Sequence, residues 1–198
     1  MAVSIIEEAA GSAVGKRERT RRHIYDCAVG LFSAKGYAAT TVGDICQAAG
    51  ISRATFFLHF KEKAALVGEG SRRLGALWES KRGDLGELPA HEILRHLIWF
   101  IYDNMESPDI AAPMLDDFRH TFGGDMSPGT GPGTIHAYTS DVIHAAQLEG
   151  SVMASPAADV LAHHAIRLTS LYRMFMVGDH NETKLLLWRL FYTGARQA

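Results

Sequence analysis

The sequence predicts an all-α fold in two parts, a three-helix head followed by a larger helical body. Two observations predict it. Apolar residues recur at the i, i+3, i+4, i+7 spacing of a helix face in one segment after another. Those segments are bracketed by start and stop residues, with Thr41, Ser52, Thr134 and Ser155 ahead of them and Gly36, Gly50, Gly150 and Gly178 behind. With 198 residues, 47% of them hydrophobic and 21% charged, the chain can bury a good core as an ordinary globular protein.

Residues 1–15 are small and weakly patterned and predict a flexible arm. Residues 16–63 form the head. The stretch KRERTRR at 16–22 is strongly basic; it either reaches phosphates or an adjacent minor groove, or only solvates the start of the first helix. That helix carries Ile24, Ala28, Leu31 and Phe32 on one side and stops near Gly36. Thr41 caps the second helix, whose buried stripe is Val42, Ile45, Cys46 and Ala49. Gly50 supplies a positive φ, Ser52 caps the third helix, and Phe56 and Phe60 lock that helix onto the rest of the head. Two short helices joined by a tight glycine turn, the second free of bulk at its N-terminal end, make the helix-turn-helix that enters a major groove; an ordinary helical hairpin is the alternative.

Residues 64–198 form the body. A long helix opening at Lys61 to Lys63 runs through Leu66, Leu74, Leu77 and Trp78 to about Arg82 and bridges the two parts. After a loop at 83–89, Pro89 stands in the first turn of a helix with Ile93, Leu94, Leu97, Ile98, Ile101 and Met105, apolar on more than one face and therefore central. Ser107 and Pro108 break the chain before a helix with Met114, Leu115, Phe118 and Phe122. GGDMSPGTGPG, 123–133, predicts a mobile loop. Thr134 caps a helix running to about Gly150; Ser155 and Pro156 open one over roughly 157–177; Asn181 caps the last, LLLWRLFYTG. This last helix is apolar around so much of its circumference that it needs cover on two sides. A second copy of the chain supplies it, so the final two helices predict a dimer surface of Leu168, Leu171, Phe175, Leu186, Trp188, Leu190 and Phe191.

Residues 20–66 resemble the DNA-binding domain of the tetracycline-repressor (TetR) family of bacterial one-component regulators. The match is carried by Ala28, Leu31 and Phe32, by Gly36 and Tyr37, by Thr40, Thr41, Asp44 and Ile45, by Ala49 and Gly50, and by His59, Phe60 and Lys63. Beyond the first third of the chain the likeness is one of helical layout alone. Two positions depart from the pattern: Phe57 stands where the family usually has a Tyr whose hydroxyl meets a phosphate, and Cys46 replaces a small Ala. The resemblance implies a homodimeric transcriptional regulator, a repressor released from a palindromic duplex operator by a small molecule.

On that reading Arg53 and Thr55 face base edges and Ala54 a thymine methyl, Thr41, His59 and Lys63 hold phosphates, and Phe57 presses on sugar or a methyl group. Charge agrees: nine Lys or Arg stand against four acids between Gly15 and Lys63, while the body is acidic and the whole chain carries −2. Trp99, Tyr102, Met105, Phe118, Phe122, Tyr138 and Met174 are candidate pocket residues, whose apolar and aromatic character suits a lipophilic or aromatic effector. A ligand that prefers the geometry unable to bind DNA would act by moving the bridging helix.

No nucleophile with its base and no carboxylate pair emerges, so no enzyme activity is expected, and no cofactor. The rival reading is a helical small-molecule-binding protein or enzyme whose helix-turn-helix is purely structural. The adjacent His163 and His164 point to different sides of a helix, so only one can join Asp159, and no metal site is expected. Cys27 and Cys46 read as small buried hydrophobes of a reducing compartment. No signal peptide or membrane span appears, which predicts a cytoplasmic protein.

Overall fold

The computed structural model describes residues 2–106, 110, 111, 113, 114, 117, 132–175 and 179–195, with residues 2–14, 174 and 175 described through their backbone alone. Among these there are eight α-helices and no strand. The head is built from α1 (Ala2–Lys35), α2 (Val42–Ala49) and α3 (Arg53–His59). Helix α1 extends back to Ala2, where a flexible arm is predicted through residue 15. Its first turns hold Ala2, Glu7, Glu8, Ala9 and Ala10, strong helix formers that continue a helix already nucleated downstream.

The turns of the head form as their residues dictate. Thr41 Oγ accepts from the Asp44 amide at 3.1 Å while the Asp44 carboxylate accepts from the Thr41 amide at 2.7 Å, a reciprocal capping box. Gly50 takes φ +63°, and the Ile51 amide reaches back to the Cys46 carbonyl at 3.0 Å to close α2. Ser52 Oγ then accepts the Thr55 amide at 3.0 Å and starts α3. Ile24, Phe32, Ile45, Phe56, Phe60 and Leu66 are buried together beneath these helices.

The body contains α4 (Leu66–Arg82), α5 (Ala90–Asn104), α6 (Ile135–Leu148), α7 (Ala158–Phe175) and α8 (His180–Ala195). Four starts differ from the predicted ones. Helix α4 is preceded by extended backbone at Phe60 and Glu62 and a 3₁₀ turn at Lys63–Ala65, so the chain leaves the head before it coils again. Pro89 is the N-cap of α5, not a first-turn residue. Asp179, not Asn181, caps α8: its carboxylate accepts the Asn181 amide at 2.7 Å and the Glu182 amide at 3.0 Å, where a negative charge also meets the positive end of the helix dipole. Helix α7 begins at Ala158, two residues beyond Pro156.

Head and body share side chains. Ile110 and Met114, from the helical stretch after α5, are buried in the core of the head, and the Tyr25 hydroxyl donates to Glu106 at 3.1 Å. The Tyr37 hydroxyl donates to Asp117. Leu115, Phe118, Phe122 and residues 123–131 of the predicted loop lie outside the described residues.

Candidate nucleic-acid interface

Helix α3 presents one side to the head and the other to solvent. Phe56 and Phe60 are fully buried, each worth about 2 kcal/mol of burial, and they fix the helix by its inner face. Arg53, Ala54, Phe57 and Leu58 are exposed. Thr55 is half-buried, its Oγ1 2.9 Å from Ser52 Oγ, so its hydroxyl is already engaged within the cap. Thr41, at the start of α2, is exposed. Of the predicted base-reading residues, Arg53 and Ala54 thus share a free surface, and Thr55 does not offer its hydroxyl there. Leu58 joins them, although nothing in the sequence pattern singled it out. It falls four residues after Ala54, one helical turn on along the same face.

His59 and Lys63 stand differently from a simple phosphate contact. The His59 ring is held below the ordinary histidine range, first by burial and then by the charges of Arg17 and Arg21, so at neutral pH it offers a hydrogen bond and not a charge. Lys63 Nζ donates to the Tyr37 carbonyl at 3.0 Å and the Thr40 carbonyl at 3.1 Å and lies 3.9 Å from the centre of the Tyr37 ring. Two of its three donors therefore close the α1–α2 turn, and burial lowers its pKa.

The basic arm is also partly structural. Arg21 donates to Glu69 at 2.6 Å and to the His59 carbonyl at 2.6 Å, and stacks 4.3 Å over the Phe60 ring. Glu69, on α4, is buried and receives Arg72 as well, with Arg73 at 3.8 Å. Arg73 continues to Asp26 at 2.6 Å and to the Arg22 carbonyl at 3.1 Å. One buried carboxylate and its guanidinium neighbours thus tie the end of α3, the middle of α1 and α4 into one piece behind the exposed face.

In the body the aromatic candidates divide between two apolar clusters. Tyr102 is buried beside Leu94 and Ile98, its hydroxyl 3.1 Å from His180 Nδ1; Trp99 packs on the same cluster and donates to the Lys184 carbonyl at 3.2 Å. Tyr138 packs on the other, against Trp78, Leu97 and Phe100. Met105 is half-buried at the end of α5, and the side chain of Met174 lies outside the described residues, as do Phe118 and Phe122. On the last two helices Leu171, Leu186 and Leu190 are exposed, and Leu168 and Trp188 are half-buried. Phe191 is only 8% exposed and packs into the subunit's own core, which removes it from the predicted dimer surface; the side chain of Phe175 is not among those described. Cys27 is half-buried, in contrast to the buried Cys46.

Residues 24–69 match the family model described as bacterial regulatory proteins, tetR family. The same end of the chain is 39% identical over 71 residues to the HTH-type transcriptional regulator AcrR of Shigella flexneri, covering 36% of this chain and 30% of that one. The chain thus matches less than a third of that regulator's length. Among solved structures, the TetR-family repressor FadR of Thermus thermophilus, determined with lauroyl-CoA, superposes with a TM-score of 0.66 at 22% identity, covering 90% of this chain and 97% of that one. A TetR regulator of Nitrosomonas europaea does so with a TM-score of 0.61 at 19% identity, covering 88% and 97%. The amino-terminal helix-turn-helix, residues 24–69, is thus that of the tetR family of bacterial regulatory proteins.

Proposed function

We propose that this chain is a DNA-binding transcriptional regulator, a repressor that binds a palindromic operator as a homodimer and leaves it when a small molecule binds the body. The observation that carries this reading is the free face of α3, with Arg53 exposed above a helix fastened from beneath by Phe56 and Phe60. Arg53 gives a bidentate donor for a guanine edge, while Thr41, the His59 ring and the remaining donor of Lys63 flank it for phosphates. One such helix makes few base contacts. Two, held about 34 Å apart across a two-fold axis, combine them into a readable palindrome.

The exposed Leu171, Leu186 and Leu190 support pairing through α7 and α8. The effector class is an apolar or aromatic molecule, consistent with Trp99, Tyr102 and Tyr138 in the body cores and with the acyl-CoA held by the Thermus thermophilus relative. The shared side chains between head and body give such a ligand a route to the DNA face, since moving Glu106 and Asp117 moves contacts of Tyr25 and Tyr37. A DNA partner places the protein in the bacterial cytoplasm. Among the described residues no helix is long and apolar enough to cross a membrane.

Binding to a random duplex pool across a salt series tests the reading. Steeply salt-dependent retention that enriches a palindrome is expected; no retention at low salt overturns it.

A further inference from the structure

We propose that the free face of α3 reads the C5-methyl groups of thymines, with Leu58 as a specificity-determining residue; this rests on the DNA-binding reading above. Ala54, Phe57 and Leu58 stand at i, i+3 and i+4, so they form one contiguous patch. Phe57 is 50% exposed and Leu58 69% exposed, while Phe56, on the opposite side of the helix, is fully buried. Folding leaves two large apolar side chains together in water on a helix of seven residues.

The polar inventory of the same face is short. The Thr55 hydroxyl is paired with Ser52, and the His59 carbonyl is held by Arg21. Arg53 supplies the donor fork at the N-terminal end, and apolar surface makes up the rest. In a major groove the apolar group that a standard base edge presents is the thymine methyl, which an aliphatic or aromatic side chain can cover. The rim of the patch decides between a duplex and a second copy of the chain as its occupant. Arg53 before it and Lys61 after it are exposed cations, complementary to phosphates and repulsive to an identical rim.

The test uses the operator selected by the full-length wild-type protein, resynthesised with deoxyuridine at each thymine in turn, which removes one methyl and keeps every hydrogen-bonding group. Wild-type affinity should fall about fourfold at each contacted thymine, the worth of burying one methyl-sized group. Leu58→Ala should bind the unmodified operator more weakly and be indifferent to deoxyuridine at the thymine it contacts, with an unchanged melting temperature. Wild-type affinity that is insensitive to every substitution, in a protein that still enriches a palindrome, overturns the proposal and leaves the DNA-binding reading standing. Failure to retain any duplex overturns both. Equal sensitivity of Leu58→Ala and wild type removes Leu58 from the contact, and a fall in the variant's own solution mass without DNA makes the patch an interface between copies and overturns the proposal.

Discussion

Glu69 shows how much one side chain decides. It is buried on α4 with Arg21 and Arg72 on its carboxylate and Arg73 nearby, and removing it leaves those guanidiniums around an empty position. Glu69→Ala should cost on the order of 3 kcal/mol, because an uncompensated buried charge cluster is left behind; denaturant unfolding measures it. Arg53 and Lys63 differ in the same way, by what else they hold. Arg53→Ala should relax sequence preference with little change in stability. Lys63→Ala should weaken binding to all duplexes alike and also lower head stability by about 1–2 kcal/mol, since it removes two hydrogen bonds to the Tyr37 and Thr40 carbonyls. A competition assay on matched and mismatched duplexes, read beside a melting curve, separates the two effects. Asp44 makes stability depend on acid. Its carboxyl is held well below the usual range, first by Lys35 and then by the Thr41 amide and hydroxyl. The unfolded chain therefore takes up the proton first as pH falls. The stability this group contributes is fully present above the ordinary Asp value near 4 and is lost progressively below it. Asp44→Asn should flatten that part of the stability–pH profile.

At the scale of elements, α4 is the part whose sequence looks weakest and whose place is most constrained. Three glycines, Gly68, Gly70 and Gly75, interrupt a 17-residue helix, each unfavourable by about 1 kcal/mol relative to Ala. Two of them are required by close approach. A Cβ at Gly70 would sit 2.7 Å from the Tyr25 hydroxyl of the head, and one at Gly75 would sit 2.3 Å from the Gly133 carbonyl of the body. Gly68 faces open space. Gly68→Ala should therefore stabilise the protein by about 0.5–1 kcal/mol, while Gly75→Ala should destabilise it by about 1–3 kcal/mol as backbone is pushed from backbone. Thermal unfolding of the pair checks both signs. The helix is thus pinned to the head at one glycine and to the body at another.

For the whole molecule the prediction concerns assembly. Leu186→Glu places a charge on the exposed face of α8 and should give a folded monomer by sedimentation, with duplex affinity reduced at least about tenfold because one head reads half a site. Phe191→Ala, five residues away, should instead cost about 3–4 kcal/mol of subunit stability, because Phe191 belongs to the core with Leu94, Ile98 and Leu187. Both residues are apolar on one helix, and periodicity alone cannot say which faces inward. Much else was legible. The N-cap at Thr41, the positive φ at Gly50 and the buried pair Phe56 and Phe60 follow from local chemistry, and they are where the sequence placed them. These determine a helix-turn-helix with Arg53 outward, because each depends on neighbours within a few residues. The chain alone could not show that Arg21 turns inward to Glu69, that Ile110 and Met114 complete the head's core, that Asp179 and not Asn181 opens the last helix, or that Leu58 stands free while Trp99 and Tyr138 part into separate clusters. The tertiary structure decided these, because a side chain's partner far along the chain is set by how whole helices pack and not by the periodicity of its own segment.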